Sequence, residues 1–113
     1  MGSIFDSMTV FKNEDGEYHR EDGPAIIFDP EVTVQLGNVT FRGGEIWMID
    51  GKQHRLDGPA CIQLDPFFQQ WWFNNRIASP HIEKWAEERN IDIDNLTEED
   101  KLVIKVEWGN YGL

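Results

Sequence analysis

Apolar and polar positions alternate with period two along most of the first 78 residues, and Gly/Asp pairs cut the alternation into short segments. Ile4, Phe5, Met8 and Val10 predict a first strand ending near Phe11. Residues 25–28 predict another. Glu31-Val32-Thr33-Val34-Gln35-Leu36 and Asn38-Val39-Thr40-Phe41 alternate on either side of Gly37, which predicts added strand or an extended hairpin. Residues 45–49 predict a strand running into an Asp50-Gly51 turn, and residues 60–64 and 70–73 repeat that arrangement. Asn13-Glu14-Asp15-Gly16 predicts a tight turn, because Asp-Gly supplies the positive φ such turns need. Short strands divided by turns at this spacing predict an antiparallel meander.

The last third of the chain changes period. Ser79-Pro80 predicts a helix start, with serine as N-cap and proline at the first helical position, and Ile82, Trp85, Ala86 and Arg89 follow at helical spacing. Thr97-Glu98-Glu99-Asp100 predicts a second helix start with acids at the positive end of the dipole. Leu102, Val103 and Val106 are expected to line its buried face, although residues 102–108 also alternate with strand period. The expected fold is α+β, mainly β, with the helices capping the last edge of the meander. A length of 113 residues sets one domain: a repeat region over 11–78 and an acidic helical region over 79–113.

One heptapeptide occurs twice. His19-Arg20-Glu21-Asp22-Gly23-Pro24-Ala25 returns as His54-Arg55-Leu56-Asp57-Gly58-Pro59-Ala60, 35 residues later and with one difference. Trp47-Met48-Ile49-Asp50-Gly51-Lys52, which leads into the second copy, is echoed after 24 residues by Trp71-Trp72-Phe73-Asn74-Asn75-Arg76. The repeat length is therefore near 24, with about 11 residues inserted around 30–44. A third unit decays, since Ala78 stands where histidine is expected and Asn75 where glycine is expected.

The pattern His-Arg-x-Asp-Gly-Pro-Ala, a strand, then Trp-x-x-Asn/Asp-Gly resembles the variant MORN repeat of the type found in tailed bacteriophages and prophages. The resemblance covers roughly residues 11–78 and implies about two and a half hairpin units. Other members of the variant family occur in bacterial proteins described as antitoxin components. The repeat is a scaffold, so the resemblance alone assigns no activity.

Charge narrows the partners. The net charge is −11, and residues 81–113 hold 9 acids against 4 bases, more than twice the acidity per residue of the rest. Such a chain is repelled by nucleic acid and by anionic lipid, so direct contact with either is not expected. No apolar stretch approaches 18 residues, and no basic segment followed by an apolar one opens the chain. A single cysteine, Cys61, excludes an intramolecular disulfide, and a cytoplasmic location is expected.

Candidate chemistry is sparse. His19, Arg20 and Asp22, or His54, Arg55 and Asp57, are catalytic residue types, but an active site needs one constellation whereas a repeat needs the same turn each time. These residues, with Gly23, Pro24, Gly58, Pro59, Trp47 and Trp71, are therefore read as architecture, each turn launching a strand into one shared interior. No catalytic residue is assigned. His19, His54, His81 and Cys61 lack the close ligand pairs of a zinc site, so neither metal nor cofactor is expected. Cys61 falls at the strand position of Ile26, the place of a small buried hydrophobe.

Two sets of residues remain for a partner. In Phe67-Phe68-Gln69-Gln70-Trp71-Trp72-Phe73, strand alternation puts Trp71 and Phe73 on one face, leaving Trp72 and one of Phe67 and Phe68 over. The second set is the acidic series Glu83, Glu87, Glu88, Asp92, Asp94, Glu98, Glu99 and Asp100, which suits a basic partner surface. The leading expectation is a non-enzymatic protein-binding module. By resemblance it is a phage-encoded inhibitor of a host protein or defence system of the CRISPR or restriction kind. Two alternatives stand beside it: an antitoxin-like neutraliser of a cognate toxin, and a self-assembling structural or virion-associated protein.

Overall fold

The computed structural model describes residues 8–111. Ile4 and Phe5 of the expected first strand lie outside them. The architecture is α+β and mainly β. Five strands, β1 (Met8–Val10), β2 (Ile26–Leu36), β3 (Val39–Ile46), β6 (Cys61–Asp65) and β7 (Phe67–Gln70), form one antiparallel sheet in the order β1-β2-β3-β6-β7. Between β3 and β6 the chain leaves this sheet to make a small hairpin, β4 (Met48–Ile49) with β5 (Lys52–Gln53). After β7 it makes another, β8 (Trp72–Phe73) with β9 (Arg76–Ile77). A Lys12–Tyr18 bridge closes the corresponding turn after β1.

The continuous strands expected over 45–49 and 70–73 are thus broken, at Trp47 and at Trp71. The break has a backbone cause. The Trp47 carbonyl accepts the His54 N–H at 3.0 Å while its own N–H donates to Ala60 at 2.7 Å, so the residue serves the small hairpin and the large sheet at once. The His19 N–H donates likewise to Phe11, and the Ala78 N–H to Trp71. The three small hairpins are laddered to one another. Gly51 N–H donates to Tyr18, and Asn75 N–H donates to Gln53. Asp50 and Gly51 turn with φ 48° and 79°, and Asn74 and Asn75 with φ 51° and 67°. Asparagine tolerates this left-handed region, so the missing glycine leaves the third turn intact.

The 11-residue insertion lengthens one hairpin. Twenty residues separate Ile26 from its partner Ile46, but nine separate Cys61 from Gln70, and the difference is the insertion. A register shift between Phe28 and Thr33 sets four residues of β2 against Gly43 alone. Gly43, at φ 70°, lies so close to Pro30 that a Cβ would sit 3.1 Å from it.

The apolar interior is two clusters rather than one shared interior. Ile26, Phe28, Val34 and Phe41 bury one another over the lengthened hairpin, with the Phe28 and Phe41 rings edge to face at 5.1 Å. Trp71, Phe73, Ala78, Ile82 and Ile104 form the second, where α1 (Ser79–Glu88) and α2 (Glu98–Trp108) cover the last repeat unit. The decayed unit is the one the helices close.

Both helix starts differ in kind. Thr97 caps α2 with a capping box: its hydroxyl accepts Asp100 N–H at 3.1 Å and the Asp100 carboxylate accepts Thr97 N–H at 3.0 Å. Ser79 is not the N-cap of α1. That position belongs to Ala78, and the buried Ser79 hydroxyl instead accepts Trp71 N–H at 2.7 Å, fastening the helix to the sheet. Leu102, Val103 and Val106 do not line the buried face of α2 either. The helix carries two apolar stripes, and the one holding Ile104 and Trp108 packs inward, which leaves the other three exposed.

Candidate interaction surface

The twin heptapeptides make the same contacts. In each, Arg Nε donates to the Asp two residues on (Arg20–Asp22 3.3 Å, Arg55–Asp57 2.9 Å) and Arg Nη1 donates to the proline carbonyl (Pro24 3.4 Å, Pro59 3.2 Å). Each guanidinium lies over an aromatic ring, Arg20 over Phe11 at 4.3 Å and Arg55 over Trp47 at 3.8 Å. The glycines admit this packing, since a Cβ on Gly23 or Gly58 would fall within 2.9 Å of the arginine Cζ. The histidines link successive units: His19 Nδ1 accepts Asp50 N–H and His54 Nδ1 accepts Asn74 N–H, both at 3.0 Å. Their bonds span 31 and 20 residues, and the difference is again the insertion. In the first unit Asn13 supplies the corresponding oxygens, its side chain accepting Asp15 N–H and its carbonyl Gly16 N–H.

The arginines, their paired aspartates and the Nδ1 atoms of both histidines are thereby engaged in structural bonds. A cavity of about 540 Å³ lies between the turns, lined by Arg20, Asp22, Trp47, Arg55, Asp57 and Lys105 among others, but both of its arginines are paired. Burial lowers the His54 pKa, which fits an imidazole acting as an acceptor. His81 is elsewhere, with Nε2 3.0 Å from the Tyr111 hydroxyl. No group of three His, Cys, Asp or Glu suited to a metal occurs among the described residues. Cys61 is half-buried beside Ile46 and Gln70, and burial raises its thiol pKa, which depletes the nucleophilic thiolate.

Of the aromatic run, Trp71 and Phe73 are buried and Trp72 is half-buried with its indole N–H on Gln70 at 3.2 Å. Trp47 differs from Trp71: it is half-buried beneath Arg55, and its indole N–H donates to Glu45 at 3.0 Å. The Trp71 indole N–H is buried without a partner among the described residues. Gln69, at the repeat position of Glu45, turns its amide to Asp94 instead, at 3.1 Å. Phe67 and Phe68 both project at the tip of the β6–β7 hairpin, Phe67 being 61% exposed, with Leu64 opposite it on β6. The strand that carries them is the outer edge of the large sheet.

Glu83, Glu87 and Glu88 stand exposed on α1, and Asp92 and Asp94 on the loop after it, so the Gln69–Asp94 bond brings this loop to the aromatic strand. Glu98 and Glu99 are exposed in the first turn of α2. A groove of about 430 Å³ runs between the helices, floored by Trp85, Ile91 and Trp108 and edged by Val103. The Trp85 and Trp108 rings meet edge to face at 6.2 Å. The exposed stripe of Leu102, Val103 and Val106 is the part of this surface that sequence reasoning missed. Its signal was two apolar stripes on one helix, of which only one could face inward.

Among the described residues no helix is long and apolar enough to cross a membrane. Comparison with protein-family models, with curated proteins and with solved structures finds no match to this chain.

Proposed function

We propose that the chain is a non-enzymatic protein-binding module. In this reading it is a small phage-encoded inhibitor, acting in the bacterial cytoplasm, that occupies a surface of a host protein such as a CRISPR or restriction component. The observation that carries the reading is the exposure of Phe67 and Phe68 on the open edge strand, with exposed Leu64 opposite Phe67 on β6, beside an acidic loop. Large apolar side chains grouped on a surface are what interfaces concentrate, and a rim of carboxylates selects a basic partner and speeds encounter. The commitment of the heptapeptide side chains to the ladder supports a scaffold rather than a catalyst. The phage assignment rests on the likeness of the heptapeptide to phage repeats.

Affinity capture from a bacterial lysate tests the reading. A stoichiometric partner is expected, and its loss on Phe67→Ser/Phe68→Ser would locate the contact. Neutralising Glu87, Glu88, Asp92 and Asp94 should slow association, with an effect that fades in high salt. A chain that captures nothing sinks the reading. The open edge of β7 also favours self-association by strand pairing. Light scattering that shows a strict monomer at high concentration rules that out.

A further inference from the structure

The outer face of α2 combines two features that neither the fold nor the β7 edge explains. Glu99, Leu102, Val103 and Val106 stand at i, i+3, i+4 and i+7, so they share one stripe, and all four are exposed, Val106 at 76%. Val103 also forms the edge of the groove between α1 and α2, whose floor is aromatic and whose rim is Arg89, Asp100 and Glu107. The stripe and the groove are therefore one continuous surface.

Charge identifies what would cover it. Arg89 is already engaged, its Nη1 donating to the Trp85 carbonyl at 3.3 Å and lying 3.8 Å from Glu88. Lys101 is held by Glu98 at 3.3 Å. Lys105 faces the cavity between the heptapeptide turns rather than this groove. Glu99 and Glu107 form no ion pair among the described residues. An apolar channel edged by Asp100 and Glu107, neither of them in an ion pair among the described residues, and flanked by Glu99 disfavours an anionic lipid surface, and a second copy would set acid against acid. Two helices side by side offer a furrow into which a third helix lays its ridge of side chains.

We infer that this groove and stripe are a docking site for an amphipathic helix of a partner protein, with aliphatic side chains along one face and lysine or arginine beside them. The inference rests on the reading of the chain as a protein-binding module and places a contact on the helical end. The aliphatic side chains of the partner cover Val103, Val106 and the Trp85–Trp108 floor, while its bases meet Glu99, Asp100 and Glu107.

The test uses the full chain and a labelled synthetic peptide of leucine and lysine arranged at helical spacing, followed by fluorescence anisotropy. A scrambled peptide of the same composition is the control for bare electrostatics. The amphipathic peptide should bind at least about tenfold tighter than the scrambled one, and Val103→Asp/Val106→Asp should lose about that factor. Val106→Asp alone, at the most exposed position, should show a smaller loss with an unchanged circular dichroism spectrum. Phe67→Ser/Phe68→Ser should bind the peptide as the parent does. No binding, equal binding of the scrambled peptide, or undiminished binding by Val103→Asp/Val106→Asp overturns the inference. A cellular partner captured equally by the parent chain and by Val103→Asp/Val106→Asp also overturns it, and leaves the binding-module reading standing.

Discussion

His54 Nδ1 accepts the backbone N–H of Asn74 at 3.0 Å, one of the bonds that join the second repeat unit to the third. The bond needs a neutral nitrogen, and burial depresses the His54 pKa below its ordinary 6.5. The unfolded chain therefore takes up a proton before the folded one as pH falls. The stabilisation is fully present above about pH 6.5 and is lost as pH drops through the folded value. Melting temperature against pH, compared between the parent and His54→Asn, checks this. The variant keeps an acceptor and should lose part of the decline that sets in below about pH 6.5. Parallel curves would remove His54 as the cause.

Arg55 should matter more than Arg20. Both bridge an Asp and a carbonyl over an aromatic face, but Arg55 lies closer to its ring and its side chain is 20% exposed against 31%. Arg55→Ala should lower unfolding free energy by about 1–3 kcal/mol, and Arg20→Ala by less. Arg55→Lys should not restore it, because an ammonium lacks the planar fork. Urea denaturation measures the order, and a larger loss at Arg20 would contradict it.

Ser79→Ala removes the acceptor of a buried Trp71 N–H and should cost about 1–3 kcal/mol. Thr97→Ala removes an exposed cap and should cost about 1 kcal/mol. A smaller effect at Ser79 than at Thr97 would mean that the first helix is not fastened to the sheet by that hydroxyl.

Gly44 and Gly37 separate steric contact from backbone strain. Both have positive φ, but a Cβ on Gly44 would run into the Ile62 carbonyl, whereas one on Gly37 meets nothing within 4 Å. Gly37→Ala should cost about 1 kcal/mol from conformation alone. Gly44→Ala should cost several-fold more or prevent folding, because β3 must then part from β6. Equal thermal shifts would contradict the close approach.

Much of this was legible in the chain. The duplicated heptapeptide, the Asp-Gly turns and Thr97 with Asp100 act locally, through side chains that bond their own neighbourhood, and such signals survive in sequence. The breaks at Trp47 and Trp71 were not legible, since alternation continues across a residue that changes sheets. Ser79 was read as a cap because serine before proline suits that role. Its true acceptor duty toward Trp71 depends on how the helix docks. Leu102, Val103 and Val106 form an apolar stripe that suits an inward face as well as the stripe of Ile104 and Trp108 does, and only the docking of the helix shows that the second one packs inward. Phe67 and Phe68 were expected to differ in exposure, but a hairpin tip lets both faces meet solvent.

Asn13 gives the ladder a terminus. The Asp-Gly donors that later units offer to a preceding histidine and carbonyl are consumed in the first unit by this one asparagine. A further rung stacked beneath it would have to evict an amide already in place. A rung added at that end would therefore begin by breaking bonds, whereas every later rung meets donors held ready.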